Sequence, residues 1–265
     1  MKELNVAIIG CGNLGLSIVH GLLVNESVVP GSLTVTKRNI ETIRDLEVKG
    51  VRVTTDNAAA VRTSDLVLIA VKPYDIEIVL REIRDVVDPE KHTLVSLATG
   101  VTLQEIEGII QKPTPLFRAM PNIATDIRES VTCICQSRAD NGHREAVELV
   151  FDHLGTTLHI NEDLMEAATI LGACGIAYVL RFIRAMIQGG IQIGFDAETA
   201  KNIVNQTVKG AAELLITKNE HPEMEIDKVT TPKGCTIVWL NEMEHQGFSS
   251  SLIRGIVASF EKIEK

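Results

Sequence analysis

Three glycines confine the first part of this chain to a narrow set of folds. Gly10, Gly12 and Gly15 stand in Ala7-Ile8-Ile9-Gly10-Cys11-Gly12-Asn13-Leu14-Gly15. Residues 6–9 form an apolar run suited to a strand buried on both faces, and residues 14–24 have helical spacing, so the glycines fall at a strand-to-helix junction. Gly10 permits the tight turn, Gly12 leaves the backbone open to a pyrophosphate, and Gly15 lets the helix pack close to the strand. The N–H groups and positive dipole end of that helix would face the phosphates. A turn that only packs would not need three glycines at this spacing.

Beyond the turn, strand and helix patterns alternate as in an open, mostly parallel sheet. Strands are predicted at 33–36, 51–54, 66–71, 93–97, 116–120, 130–135 and 156–160, with helices at 40–49, 75–86 and 102–110, the last opening on a Thr102/Glu105 capping box. After Asn161 the strand signal ends. Helices are predicted at 162–171, 176–193, 198–217, 236–245 and 252–263, with Asp196 and Ser250 as caps. The expected fold is thus α/β: a Rossmann-type doubly wound domain over 1–161, then an all-helical domain over 162–265. Residues 175–194 are apolar on more than one face, which a solvated helix does not tolerate, so the helical part is expected to bury that segment in a dimer or an assembly of dimers.

Composition narrows the partners. A net charge of −9 over 265 residues disfavours nucleic acid or an anionic membrane surface. No uninterrupted apolar stretch reaches the roughly 20 residues that span a bilayer, and no signal-peptide pattern is seen, so a soluble, cytoplasmic protein with a small-molecule substrate is expected. The five cysteines (Cys11, Cys133, Cys135, Cys174 and Cys235) lack metal-ligand spacing, and Cys133 and Cys135 share one strand face as packed thiols; no metal and no disulfide framework are expected.

An NAD-specific domain of this type usually carries an acidic residue about 20 positions beyond the glycines, on the ribose hydroxyls. Here the place holds Thr36, Lys37 and Arg38, two cations and a hydroxyl suited to a 2′-phosphate, so NADPH is favoured and NADH is the less favoured alternative. The seven histidines are scattered and read as surface residues, and no Ser/His/Asp arrangement is present. Hydride transfer to an already protonated imine needs no strong protein acid and fits such a chain.

Five segments in order resemble the pyrroline-5-carboxylate reductase family, whose members make proline with a reduced nicotinamide cofactor. They are the glycine turn, Ala70-Val71-Lys72-Pro73, Arg118-Ala119-Met120-Pro121-Asn122, Gln206-Thr207-Val208-Lys209-Gly210-Ala211-Ala212, and Val229-Thr230-Thr231-Pro232-Lys233-Gly234-Cys235-Thr236. The resemblance covers nearly the whole chain. It implies NADPH-dependent reduction of Δ1-pyrroline-5-carboxylate to L-proline, with Gly10, Gly12, Asn13, Leu14, Gly15, Thr36, Lys37, Arg38 and Asn57 on the phosphate and adenosine end. Val71, Lys72, Pro73, Ala98, Thr99, Met120, Pro121 and Asn122 would wall the nicotinamide. Thr231, Gly234, Cys235 and Thr236 would hold the substrate, its carboxylate on the N–H groups of Gly234, Cys235 and Thr236, with the Thr236 hydroxyl as the catalytic contact to the imine nitrogen.

The chain departs from the family pattern at Gly172, Cys174 and Ile176, where two serines and a proline are usual, and at Lys233 and Trp239, where small residues are usual. Thr99 also stands for a typical alanine. A reductase of another cyclic imine or small carbonyl compound, and a non-catalytic NADP(H)-binding protein, are the rival expectations.

Overall fold

The computed structural model describes residues 4–24 and 28–263. It divides into two compact units, the first running to Cys174 and the second spanning Gly175–Lys262.

Among the described residues, the first unit is built on eight strands: β1 (Val6–Ile9), β2 (Leu33–Thr36), β3 (Arg52–Thr54), β4 (Leu66–Ile69), β5 (Thr93–Ser96), β6 (Leu116–Met120), β7 (Ser130–Ser137) and β8 (Gly155–His159). They form one sheet in the order β3-β2-β1-β4-β5-β6-β7-β8. Strands β1 to β6 are parallel; Val6 lies beside both Leu33 and Leu66, so the strand order reverses at β1. Strand β7 runs antiparallel to β6, with Cys135 opposite Arg118, and β8 is parallel to β7.

Alternation within each strand supplies two hydrophobic layers. Ile8, Leu68 and Phe117 point to one face, where α1 (Asn13–Leu23) contributes Ile18 and Leu22 and α6 (Asn141–Asp152) contributes Phe151. Ile9, Ile69, Leu94 and Leu116 point to the other, covered by α3 (Asn57–Arg62), α4 (Pro73–Ile83) and α5 (Leu103–Ile110) through Val61, Leu80 and Ile106. Each such side chain taken fully from water stabilises the fold by roughly 1.5–3 kcal/mol. The capping box at Thr102 and Glu105 forms as expected.

Several expectations need correction. The stretch 40–49 is a 3₁₀ turn, Ile40–Ile43, followed by the short α2, Asp45–Val48, because Asn39 caps the first turn and the chain re-enters β3 soon after. Helices α3 and α6 and, in the second unit, α10 (Pro222–Val229) were not anticipated. His92 is buried, not superficial: its Nδ1 accepts the Asp88 N–H at 2.9 Å, and burial lowers its pKa. The first unit also extends past residue 161 to Cys174. Glu162 and α7 (Met165–Ala168) belong to it because Met165 enters the core and Glu162 and Glu166 bind Arg118 of β6.

The second unit contains α8 (Gly175–Gln192), α9 (Ala197–Lys218), α10, α11 (Cys235–His245) and α12 (Phe248–Ile263). Asp196 caps α9, accepting the N–H groups of Glu198 and Thr199 at 3.0 Å. Ser250 caps nothing; it lies inside α12, which starts two residues earlier at Phe248. Among the described residues of this unit only Ala200 and Val204 are buried. An apolar groove of about 980 Å³ is lined by Tyr178, Phe182, Met186, Trp239, Met243 and Phe248. The run Glu162–Gln192, with a π-helical turn at Thr169–Ala173, is long and apolar enough to cross a membrane by length and composition alone, but Arg181 and Arg184 interrupt it, so it holds no unbroken apolar stretch of the kind sought in the sequence.

Candidate active site

The glycine turn sits at the carboxyl end of β1, where the strand order reverses and open α/β sheets place their ligands. Gly10 has φ +89°, and a methyl there would meet Val71 Cγ1 at 2.6 Å and the Ala70 carbonyl oxygen at 3.0 Å. A methyl on Gly15 would lie 2.8 Å from the Gly10 oxygen, which shows how close helix and turn approach. Gly12 is different, since a side chain there would point into open space. It caps α1 with no side-chain hydrogen bond, and the first turn carries no acid. The N–H groups of Asn13, Leu14 and Gly15 thus have no partner within the helix, and an anion fits there without steric or electrostatic conflict. Cys11 is buried in this turn, and burial pushes its thiol up to about 11, so it is inert packing.

The end of β2 is organised differently from expectation. The Thr36 carbonyl accepts the Cys11 N–H at 2.8 Å and the Gly10 N–H at 3.2 Å. Its hydroxyl takes a weaker bond from Gly10 N at 3.3 Å and donates to Asn57 Oδ1 at 2.6 Å. Asn57 in turn donates to Glu82 Oε2 at 2.8 Å. Thr36 and Asn57 therefore brace the turn, and their polar atoms are engaged with protein. Lys37 and Arg38 remain as the cations of this corner; Arg38 is 92% exposed and only grazes Asp75 at 3.5 Å. Asp75 and Glu82, both on α4, were missed. Nothing in their sequence context marks them, because the sheet brings α4 across to β2 only in three dimensions.

The residues expected to wall the nicotinamide lie at or just beyond the ends of adjacent strands. Val71 and exposed Lys72 follow β4, Lys72 being the N-cap of α4 and Pro73 its first residue. Ala98 and Thr99 follow β5, Ala98 buried and Thr99 half-buried. Met120 and Pro121 are buried at the exit of β6. Asn122 is buried and fully used: its Oδ1 accepts the Ala124 N–H, its Nδ2 donates to the Gly172 carbonyl at 3.1 Å, and its own N–H donates to Ser130 Oγ. It shapes the loop and presents no free polar atom. Cys135 is buried with its thiol pushed up to about 11, and the half-buried Cys133 is raised in the same way, so both behave as packing.

The substrate residues expected from sequence belong to the second unit. Thr231, Pro232, Lys233 and Gly234 form a turn closed by the Gly234 N–H on the Thr231 carbonyl at 2.9 Å. Proline takes the second place and Lys233 the third, at φ +61°, where glycine is the residue that fits without strain. Gly234 is the N-cap of α11; a methyl on it would meet Thr231 Oγ1 at 2.5 Å. Its N–H, closing the turn, does not reach out to a carboxylate, a correction that leaves the N–H groups of exposed Cys235 and of Thr236 at the helix start. Thr236 is not the cap, and among the described residues its hydroxyl has no hydrogen-bond partner.

Comparison with known proteins divides the chain at the boundary expected from sequence, ahead of the break at Cys174 between the compact units. Residues 162–265 match the family described as pyrroline-5-carboxylate reductase dimerisation, and residues 5–100 match one described as NADP oxidoreductase coenzyme F420-dependent. Pyrroline-5-carboxylate reductase 1 of Dictyostelium discoideum is 43% identical over 97% of this chain, which spans 49% of that protein's length. Pyrroline-5-carboxylate reductase 2 of the same organism is 39% identical, over 98% of this chain and 92% of the relative. The solved pyrroline-5-carboxylate reductase of Coxiella burnetii superimposes with a TM-score of 0.89 at 29% identity, covering 99% of this chain and 98% of that one. The likeness runs over nearly the whole chain, and the chain belongs to the pyrroline-5-carboxylate reductase family.

Proposed function

We propose that the protein reduces Δ1-pyrroline-5-carboxylate to L-proline, the last step of proline biosynthesis, with NADPH as cofactor. The observation that carries the cofactor side is the open helix start at Gly12 beside Lys37 and Arg38, with no carboxylate among the residues that themselves end β2. The match to an NADP oxidoreductase family over 5–100 supports it. When bound, the cofactor supplies a hydride to the imine carbon, and the C=N electron pair moves onto nitrogen, which keeps its proton.

The chain's residues supply binding and orientation. Asn13, Leu14 and Gly15 hold the pyrophosphate on their N–H groups, and Lys37 and Arg38 hold the 2′-phosphate. Val71, Pro73, Ala98, Thr99, Met120 and Pro121 wall the nicotinamide, a largely apolar surface that excludes water from the reacting carbon. Cys235 and Thr236 receive the substrate carboxylate on backbone N–H groups, and the Thr236 hydroxyl accepts the iminium N–H. Orientation and charge placement then account for the rate, with no side chain needed as a strong acid.

The helical part, 162–265, serves substrate binding and self-association in this reading, the enzyme being a cytoplasmic dimer or assembly of dimers. The exposed apolar faces of α8, α9, α11 and α12 and the match to a dimerisation family over the same residues support it. Lys233 and Trp239, standing where small residues are usual, favour one second reading, a different cyclic imine as substrate. The deciding assay is NADPH oxidation with pyrroline-5-carboxylate beside a panel of other cyclic imines. Turnover of pyrroline-5-carboxylate at least ten times faster than any other upholds the proposal, and the reverse order overturns it.

A further inference from the structure

Arg118 lies in the middle of β6 with its side chain 3% exposed. A cation this deep must be paired, since taking it from water costs several kcal/mol. Its Nη1 donates to Glu162 Oε1 at 3.1 Å and its Nη2 to Glu166 Oε1 at 2.7 Å. Neither carboxylate stops there. Glu162 Oε1 also accepts the Leu103 N–H at 2.7 Å, and Glu166 Oε1 accepts the Gly100 N–H at 3.3 Å.

Gly100, at φ +72°, and Leu103, the first residue of α5, bracket the loop that leaves β5 through Ala98 and Thr99. Arg118 pairs in register with Ser96 of β5 and stands two residues before Met120 on its own strand. One buried cation therefore ties together two of the strand ends that wall the nicotinamide. The network is also under-satisfied, because Arg118 Nε and Glu166 Oε2 are buried without partners among the described residues. Stability alone is often served as well or better by apolar side chains of similar size. An ionic cluster placed here, with two backbone N–H groups of the loop as its outer ends, has a different use.

We infer that Arg118, Glu162 and Glu166 form a positioning device for the nicotinamide end of the site. They fix the β5–α5 loop against the exit of β6 and so set the orientation of the reduced ring without touching the reacting atoms. This rests on the cofactor site proposed above.

The test uses the full chain with Arg118→Met, Arg118→Lys and the near-isosteric Glu166→Gln, the last serving where Arg118→Met does not fold. Three measurements are made: affinity for adenosine 2′,5′-bisphosphate, which probes the adenosine end alone; the emission of bound NADPH, which reports the dihydronicotinamide ring; and steady-state kinetics (kcat and KM) with pyrroline-5-carboxylate. The expected result is adenosine-probe affinity within about twofold of the parent, reduced ring emission, and kcat lowered about 10- to 100-fold with little change in substrate KM. Arg118→Lys should recover part of both the emission and kcat. Unchanged emission and kcat in every variant would overturn the inference, as would loss of the adenosine probe in step with the ring signal. A parent enzyme that binds NADPH but does not turn over pyrroline-5-carboxylate would defeat the functional proposal, while the emission of the variants would still decide this one.

Discussion

The two units differ in how far each is finished by its own residues. In the first, a sheet covered on both faces buries Ile8, Leu68 and Phe117 on one side and Ile9, Ile69 and Leu116 on the other. In the second, α8, α10, α11 and α12 bury nothing completely, while Leu180, Ile193, Val238 and Ile253 lie in the open. A sheet with a helix layer on each face closes its own core. Long apolar helices without such a layer need another surface, and a second copy of the chain is the cover we propose.

The comparison breaks first at stability. Phe117→Ala should cost about 3–5 kcal/mol in denaturant unfolding, independent of protein concentration, because the cavity lies inside a self-contained core. A midpoint that moves with concentration would show that the first unit also depends on a partner. Leu180→Lys should weaken self-association by about 3 kcal/mol, over 100-fold, by placing a charge in the apolar face, as read by light scattering across dilution. Val48→Lys is the control: Val48 is 90% exposed on the first unit, and its replacement should leave the particle size unchanged. Equal behaviour of the two variants would remove the contrast.

The next two predictions separate the ligands by unit. Lys37→Ala with Arg38→Ala should weaken NADPH binding by about 2–4 kcal/mol with little effect on NADH, since two charge-assisted contacts are lost. Equal weakening of both cofactors would deny these residues the 2′-phosphate. Thr236→Val should lower kcat/KM by about five- to 150-fold, or 1–3 kcal/mol, with NADPH affinity unchanged. Labelling of exposed Cys235 by a thiol reagent should then be slowed by substrate or proline. Full activity in Thr236→Val with no such protection would move the substrate away from α11. The smallest effect belongs to Lys233→Gly, which should raise stability by about 1 kcal/mol in thermal unfolding by relieving the left-handed backbone at φ +61°. A destabilised variant would show that the lysine side chain contributes more than the strain it imposes.

What could be read from sequence was whatever local pattern encodes. The glycine turn, the apolar strands and the Thr102 capping box depend on neighbours a few residues apart, so their positions are set by spacing alone. The helices at Asn57–Arg62 and Asn141–Asp152 escaped notice because they are short or weakly apolar and depend on the sheet beneath them. The compact units part at Cys174 and not at 161, where the pattern changes, for a related reason. A change from strand to helix pattern marks a change of element, whereas Met165, Glu162 and Glu166 still serve the sheet. At the candidate site, the turn at 231–234 and the strand ends were legible as motifs, but the engagement of Thr36 with Asn57, and of Gly234 with Thr231, was not. Hydrogen bonds between residues 21 positions apart, as in the first pair, leave no periodic trace.

The placement of Thr36 bears on how a reductase of this design could change its reductant. Its side chain and carbonyl hold the glycine turn shut, whereas Lys37 and Arg38 next to it have no such duty. Adaptation to a different dinucleotide pool can therefore proceed by substitutions at 37 and 38 while the turn keeps its shape. A carboxylate placed at 36 itself, in the hope of gripping a ribose, would forfeit the hydroxyl proton given to Asn57 and loosen the turn. A cofactor-swapping library should vary the two cations and leave the threonine alone.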